Sequence, residues 1–364
     1  MGYTNFAEYV LEERMAENSQ KVFDFLYQLL EKATPFAEKE ITELKTLTKE
    51  DGIDEMQNYD HAFYAEKLRK IKFNLNDEEL KPYFSLDKVR EAVFGLAEKL
   101  FGLKFEEIHS KEVVQKYHED VLMYKVLEQN SEYEKNYKAL LYVDYYPRKG
   151  KRAGAWMTSF RNQYKKDGEN YRPHISVVCN FTKPMGDIPS LLTFQEVTTL
   201  FHEFGHALHG ILADTQYPNL SGTSVKWDFV ELPSQFLENY CYEPEFLKSF
   251  AKHYQTGEVL SDEKIEKLAQ SKNFMEGYQT LRQLGFGLLD MAYHTDLKDE
   301  KIDVKNFEDS ILEKTNLYPK NPETAISTSF SHIFQGGYSA GYYSYKWAEV
   351  LDADAFQYFK ENGI

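Results

Sequence analysis

The stretch TFQEVTTLFHEFGHALHGIL, residues 193–212, is the most informative part of this chain. Apolar residues return every three or four positions along it, which predicts an amphipathic helix. His202 and His206 stand four residues apart, so their imidazoles lie on one helix face, about 6 Å apart along the axis. At this spacing both rings can reach one zinc ion at about 2.1 Å. The stretch therefore predicts two ligands of a metal site on one helix.

Two further residues of this helix, Glu203 and His209, are not predicted to bind the metal. Glu203 follows the first histidine, and in an HExxH motif this glutamate acts on the attacking water as general base rather than binding the metal. His209 lies on the same face, but about 7 to 8 Å along the axis from the midpoint of the other two histidines. That distance is too long for a shared tetrahedral ion, so His209 is at most a neighbour of the ligands.

The segment DFVELPSQFLEN, residues 228–239, offers a third ligand. It follows the glycine-containing loop 219–223 and has the pattern of a second amphipathic helix. Glu231, near the start of that helix, would complete a site of two histidines and one glutamate with an open fourth position. The alternative for Glu231, as for Asp228, is an acidic first-turn residue that the helix dipole favours.

Residues 330–347, FSHIFQGGYSAGYYSYKW, combine a glycine turn with many aromatic side chains. Three tyrosines would share one face of a helix that began at the first of them: Tyr338, Tyr342 and Tyr345. With His332 they offer O–H and N–H donors, which can stabilise the negative charge that develops on a carbonyl oxygen during hydrolysis. The alternative is an aromatic helix face packed in the core, and we prefer it for Tyr343 and Trp347.

Composition excludes several classes of protein. The chain has 364 residues and a formal net charge of −16, which argues against nucleic-acid binding, because phosphate contacts require a basic surface. Cys179 and Cys241 are far apart in sequence and suggest neither a disulfide framework nor a thiolate metal site. No run of about 18 apolar residues occurs, and the first residues lack the pattern of a signal peptide. We therefore expect a cytoplasmic protein with no membrane partner.

The periodicity changes along the chain. Residues 5–130 are mostly helical in pattern, although Pro35 predicts a kink or two helices within 21–49. Strand-like segments at 121–127, 140–146, 153–160 and 175–181 predict a small antiparallel sheet, and helical patterns return from residue 193. We therefore expect a helical scaffold region at 1–120 and a catalytic region at 121–364, in one continuous structural unit.

Three separated motifs resemble the M3 family of zinc oligopeptidases: FHEFGHALH at 201–209, WDFVELPSQ at 227–235 and HIFQGGYSAGYYSY at 332–345. They occur in the order that the family shows, and the resemblance extends over most of the chain. It implies a mainly α, zincin-like (neurolysin-like) catalytic domain that binds one zinc ion. It also implies hydrolysis of short peptides by metal-activated water.

The resemblance assigns roles to individual residues. It implies that the zinc ligands are His202, His206 and Glu231, with Glu203 as the general base. It further implies catalytic roles for Tyr345, His332 and Tyr338, and substrate binding by Tyr342, Tyr338 and His332. The spacing from His332 to Tyr338 is one residue longer here than in the animal members of the family.

Size is the main departure from the family. Typical members are nearly twice as long and carry flanking helical segments, so this chain resembles the catalytic part of a longer enzyme. One alternative function is therefore a zinc-stabilised fragment that binds peptides or a partner polypeptide with little turnover. The choice between endopeptidase and dipeptidyl carboxypeptidase depends on a positive group that captures the C-terminal carboxylate, for which the candidates are Arg148, Arg152, Arg172 and Arg282.

Overall fold

Helices dominate the structure, a computed structural model that describes residues 2–109, 115–129, 137–295, 297, 301–335 and 337–363. The α-helices within this part of the chain are α1 (Phe6–Leu11), α2 (Ser19–Glu50), α3 (His61–Phe73), α4 (Asp77–Leu80), α5 (Leu86–Phe101), α6 (Phe194–Ile211), α7 (Leu232–Glu238), α8 (Pro244–Phe250), α9 (Asp262–Gln270), α10 (Glu276–Thr295), α11 (Val304–Ile311) and α12 (Ser344–Asn362). The strands are β1 (Leu103–Glu107), β2 (Leu122–Glu128), β3 (Tyr137–Asp144), β4 (Trp156–Arg161), β5 (Tyr164–Lys166), β6 (Glu169–Tyr171) and β7 (His174–Val178). The predicted mainly α class with a small sheet is confirmed.

The chain forms two compact units, and each is discontinuous in sequence. The first unit consists of Met1–Asn74, Lys226–Phe229 and Gln270–Val350. The second unit consists of Leu75–Val225, Val230–Ala269 and Leu351–Ile364. The linear division at residue 120 and the zincin-like topology stay predictions.

The long helices α2 and α10 form the centre of the first unit. Leucines from both are almost fully buried in one core, including Leu26 and Leu44 of α2 and Leu284 of α10. Pro35 removes one backbone N–H donor within α2, yet α2 runs as a single helix from Ser19 to Glu50. The alternative of two helices is therefore wrong, because both halves of α2 are fixed by burial in the same core.

The second unit is built on a five-stranded sheet in the order β1-β2-β3-β7-β4. The four predicted strands are present, but the sheet is mixed rather than antiparallel, because β3 and β7 pair in parallel with Leu140 opposite His174. Strands β4, β5 and β6 lie between them in sequence, and such a long crossover allows two strands to run in the same direction. The sequence patterns also missed β1, which directly follows α5 and is only five residues long.

Helix α6 packs on the strands β4 and β7 of this sheet. A Cβ atom at Gly210 would lie 2.5 Å from the side chain of Ile175 in β7, so the glycine allows the helix to approach the sheet closely. Cys179 and Cys241 are both buried free thiols. In the described residues, no helix is both long enough and apolar enough to span a membrane.

Candidate metal centre and tyrosine cluster

Helix α6 carries the predicted histidine pair, and its N-terminus is fixed by side-chain capping. Thr193 and Glu196 form a capping box: the Thr193 hydroxyl accepts from the Glu196 amide at 3.1 Å, and the Glu196 carboxylate accepts from the Thr193 amide at 2.8 Å. This exchange satisfies two amides that a helix start otherwise leaves without partners. The helix then continues through His202 and His206, whose ring centroids lie 4.9 Å apart.

Glu231 brings the third candidate ligand to these two rings. Its Oε2 atom lies 3.3 Å from Nε2 of His202 and 3.2 Å from Nε2 of His206. Glu231 occupies the N-cap position of α7, but its side chain makes no capping hydrogen bond there. The carboxylate turns toward the histidines instead, and the hydroxyl of Ser234 donates to it at 3.0 Å. The alternative of a residue favoured only by the helix dipole does not explain this orientation.

The geometry of these three side chains fits a tetrahedral zinc ion. Atoms bound about 2.0 to 2.2 Å from such an ion lie about 3.4 Å from one another, close to the two separations between Glu231 and the imidazoles. One ligand atom from each of His202, His206 and Glu231 can be chosen so that all lie within 4.8 Å of one another. Burial by itself raises the pKa of Glu231, but hydrogen bonds with the two histidines outweigh it and lower that pKa well below its usual value. The site therefore offers an anionic oxygen and two ring nitrogens.

Gly205 allows α6 and α7 to come close enough for this contact. A Cβ atom at this position would lie 2.4 Å from the carbonyl oxygen of Pro233 and 2.5 Å from Cα of Ser234. Both of these are backbone atoms of α7, and backbone cannot move aside as a flexible side chain can. The glycine of the HEFGH sequence therefore determines how near Glu231 lies to the two histidines.

Gly205→Ala is expected to weaken metal binding by at least tenfold, the scale seen when the groups that orient a ligand are disturbed. The added methyl group forces α7 away from α6 and carries Glu231 with it. Competition with a chromophoric chelator measures the affinity. Gly95→Ala is the matched control, because a Cβ at this helical glycine of α5 meets nothing within 4 Å. Unchanged affinity in Gly205→Ala would contradict the role of the close approach.

Glu238 holds the first histidine in a defined orientation. Its Oε1 atom lies 2.6 Å from Nδ1 of His202, on the opposite side of the ring from Glu231. A carboxylate there favours the tautomer that carries the proton on Nδ1, which leaves Nε2 able to bind a metal. The sequence contains a signal for this partner, since Glu238 lies seven residues after Glu231 and two helical turns further along α7.

Glu238→Gln is expected to lower metal affinity by about 10- to 100-fold, the usual cost of removing such an outer partner. The amide can still occupy the space but no longer stabilises the proton on Nδ1 as strongly. Glu245→Gln serves as control, because the Glu245 side chain is 89% exposed and its ion pair, with Lys248 at 3.2 Å, lies at the surface of the second unit. An affinity within twofold of the wild type would argue that His202 is oriented by α6 alone.

Glu203 lies beside the ligands but does not join them. Its side chain is buried, and it is not one of the three convergent groups. Burial raises the pKa of Glu203, while the nearby His202 and His206 act in the opposite direction. His209, as predicted, is also outside the ligand group; burial lowers its pKa to about 4, and it lines an apolar cavity with Leu208 and Phe236.

The first unit contains the four aromatic site residues predicted near the C-terminus. The Tyr338 and Tyr345 rings stack with centroids 5.0 Å apart and an interplanar angle of 9°. Nε2 of His332 lies 3.1 Å from the Tyr345 hydroxyl, and the Tyr342 and Tyr345 ring centroids are 5.2 Å apart. These residues form the tyrosine cluster: His332, Tyr338, Tyr342 and Tyr345.

Most residues of the tyrosine cluster lie in turns before α12, and they do not share one helix face. Helix α12 begins at Ser344, so only Tyr345 lies on it, and the condition of a helix beginning at Tyr338 is not met. Tyr343 is almost fully buried and its hydroxyl donates to Asp228 at 2.8 Å. Trp347 packs edge-on against Phe25 at 5.1 Å. The core interpretation of Tyr343 and Trp347 is therefore confirmed.

Asp290 fixes the turn that carries the cluster, and no sequence pattern pointed to it. Its fully buried carboxylate accepts from three successive amides, those of Ala340, Gly341 and Tyr342, at 2.8 to 2.9 Å. Ala340 has φ of +54°, a left-handed conformation that residues other than glycine rarely adopt. The three hydrogen bonds explain how this conformation is held, since such strain persists only where its surroundings enforce it.

The four candidate arginines differ in their contacts. Arg148 binds Asp144 through two hydrogen bonds of 2.7 and 2.8 Å, and Arg172 is buried and donates to backbone carbonyls including that of Ile211. Arg152 and Arg282 are exposed and lie over the rings of Trp156 and Phe286, at 5.2 and 4.8 Å. Arg148 and Arg172 therefore already have partners within the protein.

Comparison with known proteins places the chain in a family. The model of peptidase family M3 matches residues 1–364. The chain is 41% identical to oligopeptidase A of Escherichia coli over 368 residues, and 38% identical to dipeptidyl carboxypeptidase of the same species over 367 residues, covering 100% of this chain and 53% of each relative. Saccharolysin of Saccharomyces cerevisiae is 34% identical over 368 residues, covering 98% of this chain and 51% of that protein. The chain therefore spans about half the length of these relatives. Because the family match extends over every residue, including both segments that supply the convergent histidines and glutamate, this chain belongs to peptidase family M3.

Proposed function

We propose that this chain is a zinc-dependent metallopeptidase that hydrolyses short peptides, either as an oligoendopeptidase or as a dipeptidyl carboxypeptidase. The observation that carries the proposal is the convergence of two imidazole nitrogens and one oxygen of Glu231, with Glu203 buried beside them. Membership in peptidase family M3 supports it. We further propose a cytoplasmic location and no nucleic-acid partner.

The proposed chemistry divides between the metal and the chain. A zinc ion held by His202, His206 and Glu231 would act as a Lewis acid and make water a nucleophile near neutral pH. Glu203 would take the proton from the attacking water and later deliver it to the leaving amine. The buried position of Glu203 raises its pKa, which brings this carboxyl closer to the range in which it can both accept and donate a proton.

A quenched fluorogenic peptide tests the proposal. We expect hydrolysis by the purified chain, loss of hydrolysis after a chelator removes the metal, and recovery when zinc is returned. Metal analysis should give one zinc ion per chain. Zinc binding without hydrolysis would instead favour the second candidate, a zinc-stabilised fragment that binds peptides or a partner polypeptide. This second candidate is considered because the chain spans about half the length of its relatives, and segments of a longer enzyme can contribute to activity.

We propose that the tyrosine cluster acts on the substrate. Tyr345, with His332 and Tyr338, would donate to the carbonyl oxygen as it becomes negative, and Tyr342, Tyr338 and His332 would bind the peptide. The resemblance to the family supports these roles, and so does the arrangement of two hydroxyl-bearing rings and an imidazole around Tyr345. Donors of this kind are most effective when they are held in place before the reaction, as the turn fixed by Asp290 would ensure.

Tyr345→Phe is expected to lower kcat by about 10² to 10³-fold with little change in KM, because the lost hydroxyl acts mainly in the transition state. The ring and its stacking on Tyr338 remain, so the fold should survive. Steady-state kinetics at full zinc occupancy measures the effect. Tyr343→Phe is the matched control: it removes the hydroxyl that donates to Asp228, and should lower the melting temperature modestly while leaving turnover intact. Wild-type kcat in Tyr345→Phe would move the oxyanion role to another member of the cluster.

A further inference from the structure

A cavity of about 540 Å³ lies in the first unit beside the tyrosine cluster. Aromatic side chains form part of its wall, among them Tyr278, Phe286 and Phe330. Neutral polar groups, including Asn58 and Asn316, form another part. A concave site that combines apolar surface with a few polar groups is the usual form of a site for a small ligand or a peptide side chain.

Arg282 contributes a positively charged side chain to the wall of this cavity. Its guanidinium lies over the Phe286 ring, 4.8 Å from the centroid, and the side chain is exposed. Within the described residues it makes no hydrogen bond or ion pair. A guanidinium held over a ring keeps its N–H donors along its edge, where they can bind both oxygens of a carboxylate at once. Arg282 is therefore a cation available to a ligand.

The other charged groups of the wall are already occupied. Lys305 pairs with Asp309 at 2.5 Å, and Lys320 lies 3.7 Å from Glu313. The carboxylate of Glu308 is buried and accepts from the amides of Ile326 and Ser327. An anion entering the cavity would thus meet Arg282 without strong repulsion from a free carboxylate on the wall.

Two aromatic residues of the cavity wall pack directly against residues proposed to bind substrate. The Phe286 and Phe330 rings both pack against Tyr342, with centroids 5.7 and 5.4 Å apart. Phe330 also stacks on His332 at 5.8 Å, with an interplanar angle of 13°. All of these residues belong to the first unit. A peptide that contacts Tyr342 and His332 would therefore have its neighbouring residues close to this cavity.

We propose that this cavity is a substrate subsite in which Arg282 binds a carboxylate of the peptide. The inference rests on the proposed peptidase function and names a substrate class, peptides that carry a negative charge near the bond to be cut. The carboxylate is either the free C-terminus or the side chain of Asp or Glu, because the guanidinium binds both in the same way. A C-terminal carboxylate in this subsite would make the enzyme release short C-terminal fragments.

Equilibrium binding tests the subsite without depending on turnover. Three pentapeptides with N-methylated, uncleavable backbone amides and an uncharged N-terminal dansyl label are compared by fluorescence anisotropy on the intact, zinc-loaded chain. One has a neutral sequence and a free C-terminus, the second is its C-terminal amide, and the third is the amide with one Glu. We expect at least one carboxylate-bearing peptide to bind about tenfold more tightly than the neutral amide, as for one charge-assisted contact. The peptide that gains affinity identifies the source of the carboxylate.

Substitutions then attribute the preference to Arg282. Arg282→Gln should reduce it to less than about twofold, and Arg282→Lys should restore only part of it, because lysine keeps the charge but not the planar fork. Arg152→Gln is the matched control, since Arg152 is also an exposed arginine over an aromatic ring but lies in the second unit. Equal binding of all three peptides, or a preference that survives in Arg282→Gln, would overturn the proposal. A preference without hydrolysis of ordinary peptides would refute the proposed function and leave the subsite standing.

Discussion

His206→Ala is expected to remove most bound zinc and all measurable hydrolysis. Nε2 of His206 lies 3.2 Å from Glu231, and no other nitrogen or carboxylate in the described residues joins the group of three. With two ligands instead of three, the site loses much of its affinity. The fold should largely remain, because α6 is also held by its capping box and by burial of Phe201 and Phe204. A catalytic zinc site contributes a smaller part of the stability of a large core than a zinc site does in a zinc finger.

Metal analysis after dialysis, together with circular dichroism, measures this result. His209→Ala is the matched control, because His209 lies on the same helix one turn further along and outside the ligand group. It should retain about one zinc ion per chain. Near-stoichiometric zinc in His206→Ala would refute the ligand assignment, whereas loss of zinc in both variants would indicate a general effect on α6.

Glu203→Gln is expected to keep the zinc and lower kcat by about 10² to 10⁴-fold, the range associated with a general acid–base group. The amide has nearly the same shape as the carboxyl group but cannot accept a proton from water. Glu203 is buried, and burial raises its pKa, so its charged form is disfavoured by the surroundings. A neutral amide removes that unfavourable charge, and we expect no loss of thermal stability.

Kinetics at saturating zinc and a thermal melt distinguish loss of the base from loss of the fold. Glu196→Gln is the matched control on the same helix, because glutamine can also accept the hydrogen bond of a capping box. It should leave kcat within about twofold of the wild type. Wild-type turnover in Glu203→Gln would mean that another group activates the water, and the proposed mechanism would then be wrong.

The sequence by itself determined the features that depend on local spacing. The period of residues 193–212 predicted α6, and the interval of four residues between His202 and His206 set both rings on one face. Four strands of the larger sheet were also recognisable, since strand-like patterns bounded by polar or glycine-bearing turns mark the segments 121–127, 140–146, 153–160 and 175–181. The choice of Glu231 needed the family motif, because a carboxylate at a helix start has an ordinary explanation as well.

The tertiary structure decided what depends on contacts between distant segments. The parallel pairing of β3 with β7 follows from a crossover, and a strand pattern has no direction. Asp290 reaches amides 50 to 52 positions away, and nothing in its own neighbourhood marks it. The structure was likewise needed to show that Arg148 and Arg172 bind other groups of the protein, whereas the guanidinium of Arg282 lies over a ring and can bind a ligand. The physical reason is that helix and strand patterns record the few residues on either side. Pairing direction, close approach and the partners of a buried charge depend instead on how the whole chain packs.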